Sequence, residues 1–72
     1  MTTLYLRDEY GLVEQAAIVD GTVDAEAAPT LAALVAWAKS GGQTAEDLDQ
    51  YFNGYMMVTT DPAQGWPEEQ PA

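Results

Sequence analysis

Acidic side chains outnumber basic ones by twelve to two in this chain of 72 residues, which gives a formal net charge of −10 at pH 7. A charge of that size on a small body creates a field that repels nucleic acids and anionic membranes and attracts basic surfaces. The same repulsion acts among the protein's own carboxylates and opposes a compact fold, most strongly at low salt. We therefore expect one small domain that salt stabilises. Its expected partner is a protein with a basic surface, not a nucleic acid or a membrane.

The apolar content is high enough for a folded core despite this charge. Hydrophobic residues make up 47% of the sequence, whereas disordered acidic segments combine high charge with low hydrophobicity. A domain of this size buries only about 60% of the surface that its unfolded chain exposes, and the chain has no cysteine to add a disulfide. Stability must then come from packing or from self-association, so a homodimer is one expected arrangement.

The N-terminal sequence lacks the basic start and the long apolar run of a secretory signal peptide. No stretch of the chain approaches the roughly 20 apolar residues that a membrane span requires. The sequence therefore predicts a cytoplasmic protein.

Two strands are predicted in the N-terminal third of the chain. Residues 2–7 alternate apolar and polar side chains, which is the period of a half-buried strand. Residues 12–19 contain β-branched side chains and end at Asp20-Gly21, a strong turn dipeptide. We expect these two segments to pair in an antiparallel manner. In an alternative, Asp20-Gly21 is the tip of a tighter hairpin with residues 22–23 as its return arm, which would shorten the second strand.

The first predicted helix begins near Ala28 and ends at Ser40. Pro29 suits the first helical position, where its missing N–H costs nothing, and Gly41-Gly42 follows the apolar run. The apolar residues at helical spacing define one face. This face comprises Ala27, Leu31, Leu34, Val35 and Ala38.

A second helix is predicted from Thr44, because Thr44 and Asp47 have the spacing of a capping box. Apolar residues at helical spacing form its stripe, and Asn53-Gly54 follows as an end signal. The stripe comprises Leu48, Tyr51, Phe52 and Tyr55.

A third strand is predicted over residues 55–60, and Asp61-Pro62 ends it. Residues 62–72 contain three prolines and a pair of glutamates, which favours a loose, flexible tail outside a domain of residues 1–61. The predicted fold class is α+β. It consists of a three-stranded antiparallel sheet with two helices on one face, in the order β-β-α-α-β.

Most catalytic and metal chemistry is disfavoured by the composition. The chain has no histidine and no cysteine, and Ser40 and Lys39 are its only serine and lysine, so a nucleophile would lack an activating base. Paired carboxylates need a pocket that raises the pKa of one of them, and a core this small does not readily enclose one. Residues 49–54 fit part of a calcium-binding EF-hand loop, but Tyr51 and Thr60 fall where carboxylates are required. We expect no enzymatic activity, no cofactor and no bound metal.

The acidic residues are the main functional candidates. Turn and helix-end positions account for many of them, yet solubility is normally reached with a net charge of about 2 to 8 in magnitude. Carboxylates can stand where phosphates would in the groove of a nucleic-acid-binding protein. Small acidic proteins of phages and mobile elements that block CRISPR, restriction or transcription machinery are similar to this chain in bulk composition. The predicted binding rows are Glu46, Asp47 and Asp49 on the second helix, with Asp24 and Glu26 before the first.

The first helix offers a second candidate surface. Opposite its core face lie small apolar residues, including Ala33, with Trp37 beside them and Lys39 as the only charge. A helix that is apolar all round is normally buried, so this back could dock a partner or a second copy around Trp37. The protein would then be a structural or accessory subunit. In the simpler interpretation, the alanines are only good helix formers on an exposed face.

Trp66 lies in the predicted tail, within Gln64-Gly65-Trp66-Pro67. We consider two roles for it. It folds back onto the sheet, which we favour, or it serves as a short peptide anchor for another protein.

Overall fold

The structure is a computed structural model that describes residues 1–67. Its elements in chain order are β1 (Thr3–Asp8), β2 (Gly11–Ala17), α1 (Pro29–Ser40), a 3-10 turn (Ala45–Leu48), β3 (Tyr51–Phe52) and β4 (Met57–Thr59). The strands form one antiparallel sheet in the order β2-β1-β4-β3. The prediction of a three-stranded sheet with two helices is therefore wrong, because within residues 1–67 there are four strands, one α-helix and one 3-10 turn.

β3 occupies part of the segment predicted as the second helix. The aromatic pair Tyr51–Phe52 followed by Asn53-Gly54 suits a strand and a turn as well as it suits a helical stripe. Pairing of Tyr51 with Val58 and of Phe52 with Met57 decides between them. Gln50 has a φ of 71°, a left-handed conformation that a continuing α-helix cannot contain.

Only the first turn of the predicted second helix forms. The Asp47 carboxylate accepts the N–H of Thr44 at 2.8 Å, which is the acidic half of the predicted capping box. Ala45 and Leu48 of this turn are buried. The local start signal is thus correct, but the helix stops after four residues.

The N-terminal hairpin has the predicted antiparallel pairing, with a shorter second strand. β2 ends at Ala17. Val19 and Thr22 then exchange backbone hydrogen bonds of 2.8 and 3.0 Å across Asp20-Gly21, whose φ angles of 53° and 78° are both positive. The tight hairpin with Asp20-Gly21 at its tip is therefore the correct alternative.

α1 begins and ends as predicted, with Pro29 in its first turn and Gly41 at its C-cap. It packs on the inner face of the sheet, to which alternate residues of the strands contribute. The largest apolar side chains of this core are Leu4, Leu6, Ile18, Leu31, Val35, Leu48 and Val58.

The outer face of the sheet is covered by the segment after β4. Met57 and Thr59 alternate with the inward-facing Val58, yet both are buried. Gln64 contacts both of them, accepting from the Thr59 hydroxyl at 2.8 Å and donating to the Met57 sulfur at 3.8 Å. Residues 62–67 thus form a third layer instead of the flexible tail of the predicted fold, and residues 68–72 of that prediction lie outside the described residues.

Candidate functional site

Glu14 is tied to the start of α1. It lies on β2 opposite Leu6, so its side chain points towards the helix. Its two carboxylate oxygens accept the N–H groups of Thr30 at 3.2 Å and Leu31 at 2.9 Å. α1 has no side-chain cap of its own and no acidic residue in its first turn. Glu14 therefore satisfies helix N–H groups that would otherwise lack a partner, and it also complements the helix dipole.

Five further carboxylates accept a backbone N–H within the turn or at the strand end where they lie. They are Asp8 (from Tyr10, 2.8 Å), Asp24 (from Glu26, 3.0 Å), Asp47 (from Thr44, 2.8 Å), Asp49 (from Thr60, 2.9 Å) and Asp61 (from Ala63, 2.9 Å). Such bonds stabilise turns and helix starts. Three of the predicted binding residues, Asp24, Asp47 and Asp49, therefore have a structural role.

Four exposed carboxylates make no hydrogen bond within residues 1–67. They are Glu9, Asp20, Glu26 and Glu46. The basic side chains do not neutralise them, because Arg7 donates to the carbonyl of Pro62 at 2.8 Å and Lys39 to the carbonyl of Gly21 at 3.4 Å. These four carboxylates are consequently free to interact with an external cation.

The two predicted acidic rows lie in separate turns. Asp24 and Glu26 belong to the turn before α1, where the N–H of Ala28 donates to the Asp24 carbonyl. Glu46 and Asp47 belong to the 3-10 turn after α1. Glu46, Asp47 and Asp49 do not form a row on a second helix, because that helix does not exist; Asp49 follows the turn and bonds to the chain beyond β4.

The back of α1 is exposed, because no other element of the described chain covers it. Trp37 is 57% exposed, and its ring meets that of Tyr51 edge to face at a centroid distance of 5.7 Å. Ala33 is also exposed. Trp66, by contrast, is only 6% exposed and packs edge to face on Phe52 at 5.2 Å. Trp66 therefore folds back onto the sheet, which is the role that the sequence favoured, and it does not project from the sheet as a peptide anchor.

A cleft between two hairpin turns was not predicted from the sequence. β1 and β4 are antiparallel, with Arg7 opposite Met57, so the residues after β1 lie beside those before β4. Tyr10 in the first turn and Tyr55 in the second are consequently at the same end of the sheet. They enclose a cleft of about 310 Å³, which we call the hairpin cleft. It is lined by Asp8, Glu9, Tyr10, Gly54, Tyr55 and Trp66.

One sequence signal for this cleft is Asn53-Gly54, which forms a hairpin turn and not the predicted helix end. Asn53-Gly54 is a strong hairpin-turn dipeptide, and the Asn53 side chain accepts the N–H groups of Tyr55 and Met56, both at 2.9 Å. A helix over this segment would place Tyr55 on a core stripe. Instead, Tyr55 is 83% exposed and Tyr10 is 89% exposed.

A shallow groove of about 500 Å³ lies beside the tight hairpin that follows β2. Its lining is mainly apolar and includes Val19, Val23 and Ala27, with Asp20 and Asp24 at its border. The hairpin cleft differs from this groove in that its exposed aromatic rings and carboxylates line the same space. That combination makes the hairpin cleft the better candidate site.

Two structural features are absent from the described part of the chain. Within residues 1–67, no group of three or more acidic residues is arranged to hold a metal ion. Over the same residues, no helix has both the length and the apolar character needed to cross a bilayer. Comparison of the chain with protein-family models, with curated proteins and with solved structures gave no significant match.

Proposed function

We propose that this protein is a non-enzymatic binding protein of the cytoplasm that engages, and thereby inhibits, a nucleic-acid-handling protein through that protein's basic surface. The observation that carries this proposal is the set of four exposed carboxylates that neither the described backbone nor a basic side chain engages. The net charge of −10 already includes both basic side chains, and each of these donates to a carbonyl group instead of to one of the four carboxylates.

Mimicry of nucleic acid is the mechanism that this charge favours. A protein that binds DNA or RNA has a basic groove from which bound phosphates displace counterions. Carboxylates on a folded surface would occupy the same groove, speed up the encounter and exclude the nucleic acid. An anti-CRISPR or anti-restriction inhibitor from a phage or mobile element would act in this way.

The test uses the immobilised protein and the heparin-binding fraction of a lysate from the source organism, which is rich in nucleic-acid-binding proteins. We expect capture of one or a few basic proteins, identified by mass spectrometry, at 50 mM NaCl. Raising NaCl to 500 mM should release them, because salt screens exposed charges. Double-stranded DNA or RNA should compete for them. Captured proteins that lack basic surfaces, or whose binding ignores both salt and nucleic acid, would contradict the proposal.

The four free carboxylates can be replaced by amides to lower the negative charge without removing a hydrogen bond of residues 1–67. The substitutions are Glu9→Gln, Asp20→Asn, Glu26→Gln and Glu46→Gln, which change the net charge from −10 to −6. Asn also tolerates the positive φ at position 20 better than most residues. We expect this variant to fold and to lose most of the salt-sensitive capture. Full capture by a folded variant would show that the free carboxylates are not the binding determinant.

A second candidate function is that of an accessory subunit that docks through the back of α1. The exposure of Trp37 and Ala33 favours it, since exposed tryptophans anchor many interfaces. The same surface would serve a homodimer. In this case Trp37→Ala or Ala33→Glu should abolish assembly, as measured by analytical ultracentrifugation or co-purification, with little dependence on salt.

A further inference from the structure

We infer that the hairpin cleft is a binding site for the guanidinium group of an arginine side chain, supplied by a partner protein. The partner's basic character rests on the proposed function, whereas the chemistry of the site rests on the cleft alone. Two acidic and three aromatic residues line its volume of about 310 Å³, which suits one side chain and is too small for a folded segment.

Three aromatic residues, Tyr10, Tyr55 and Trp66, line the site. Tyr10 and Tyr55 are 89% and 83% exposed, so most of the surface of each side chain is available to a ligand. Trp66 is held in place by its edge-to-face contact with Phe52. A cation beside such rings is attracted by their negative faces, and arginine makes this contact more often than lysine.

The carboxylates supply the opposite charge. One oxygen of Asp8 accepts the N–H of Tyr10 at 2.8 Å, which fixes the side chain of Asp8 and leaves its second oxygen for a ligand. Glu9 is exposed and makes no hydrogen bond within residues 1–67. A planar group with several N–H donors can bond to a carboxylate and stack on a ring at the same time, and this is the geometry of guanidinium.

The protein's own arginine does not fill the site. Arg7 donates to the carbonyl of Pro62 at 2.8 Å and is not among the residues that line the cleft. The pair of carboxylates at Asp8 and Glu9 therefore remains without a cation from the described chain. The negative charge of the cleft is therefore available to bind a cation from another molecule.

The experiment is an NMR titration of the ¹⁵N-labelled full chain with the peptide acetyl-Gly-Arg-Gly-amide. Saturable shifts are expected for the amides of Tyr10 and Tyr55 and for the Trp66 indole N–H, with a dissociation constant on the order of millimolar. The Trp37 indole is the internal reference, because it is an exposed aromatic outside the cleft. The same peptide with citrulline, which is neutral and has nearly the same shape, should bind at least about fivefold more weakly. Equal binding of citrulline, or shifts only at Trp37, would overturn the assignment.

A matched pair of variants separates the site from the net charge. Glu9→Gln and Glu46→Gln remove the same charge from exposed glutamates without hydrogen bonds, so both should fold. We expect Glu9→Gln to weaken arginine-peptide binding about three- to fivefold and Glu46→Gln to leave it nearly unchanged. Tyr55→Ala should weaken it by a similar factor through loss of the ring. If the two glutamate variants weaken binding equally, the peptide is attracted by the net charge and not by the cleft, and the inference is wrong.

Failure of the cleft assignment can be distinguished from failure of the proposed function. If arginine peptide does not bind at the cleft while salt-sensitive capture of a basic protein persists, the cleft assignment is wrong and the proposed function stands. If the peptide binds at the cleft but no basic protein is captured, the assignment stands and the proposed function fails.

Discussion

Glu14 shows how one side chain can serve two elements. It is an acidic residue on the inner face of a sheet, where an unpaired charge would be costly. Hydrogen bonds from the N–H groups of Thr30 and Leu31 offset that cost. The same bonds give α1 the cap that its own sequence lacks. Pro29 and the alanine before it cannot provide a side-chain acceptor, so the cap comes from a residue that is 16 positions away from Thr30.

This role predicts a specific loss of stability. Glu14→Ala should lower the free energy of unfolding by about 1 to 2 kcal/mol, because two helix N–H groups lose a charged acceptor. Glu26→Ala is the control, since it removes the same charge from an exposed side chain that has no hydrogen bond. Urea unfolding followed by far-ultraviolet circular dichroism gives both values. Equal losses in the two variants would mean that charge, and not capping, sets the effect.

At the scale of elements, the short strand β3 and the segment of residues 62–67 depend on each other. β3 has only two residues, Tyr51–Phe52, and such a short edge strand is weak by itself. Phe52 packs on Trp66 on the outer face, while Tyr51 meets Trp37 on the inner face. The other edge strand, β2, is longer and carries a bulge at the register shift opposite Leu6 and Arg7, a feature that discourages pairing with another chain.

Substitution of Trp66 should therefore lower the stability much more than substitution of Trp37. Trp66→Ala should cost about 3 kcal/mol, as expected for a buried aromatic residue, whereas Trp37→Ala should cost less than about 1 kcal/mol because more than half of that side chain is exposed. Chemical denaturation measures both, and Trp66→Phe provides an intermediate value if Trp66→Ala does not fold. A larger loss for Trp37→Ala than for Trp66→Ala would contradict the layer described for residues 62–67.

At the scale of the whole molecule, the charges lie close enough to act together. The described residues extend over 35 × 23 × 20 Å, and the screening length is about 30 Å at 0.01 M salt but only about 8 Å at 0.15 M. At low salt each carboxylate is therefore repelled by nearly all the others. At physiological salt it is repelled only by its neighbours.

Thermal unfolding should consequently depend on salt. We expect the Tm to rise between 10 and 300 mM NaCl, because screening removes repulsion that is strongest in the compact state. The four-site variant with a net charge of −6 should have a higher Tm at 10 mM and a smaller rise. Parallel salt curves for the two proteins would show that repulsion among these carboxylates does not limit stability.

Local signals in the sequence determined β1, the boundaries of α1 and the start of the 3-10 turn. Each of these depends on residues within a few positions, such as Pro29 at a helix start or the spacing of Thr44 and Asp47, so the sequence alone suffices. Charge also follows from composition, and with it the expectation of a basic partner.

Tertiary structure decided whether Tyr51 and Phe52 continue a helix or form a strand, because their apolar spacing from Leu48 and Tyr55 fits a helix and their side chains suit a strand. Pairing of β3 with β4, and of β4 with the distant β1, selected the strand. The same pairing created the hairpin cleft by bringing Tyr10 and Tyr55 to one end of the sheet. The capping of α1 by Glu14 likewise depends on a contact between elements far apart in the chain, for which a single sequence contains no local signal.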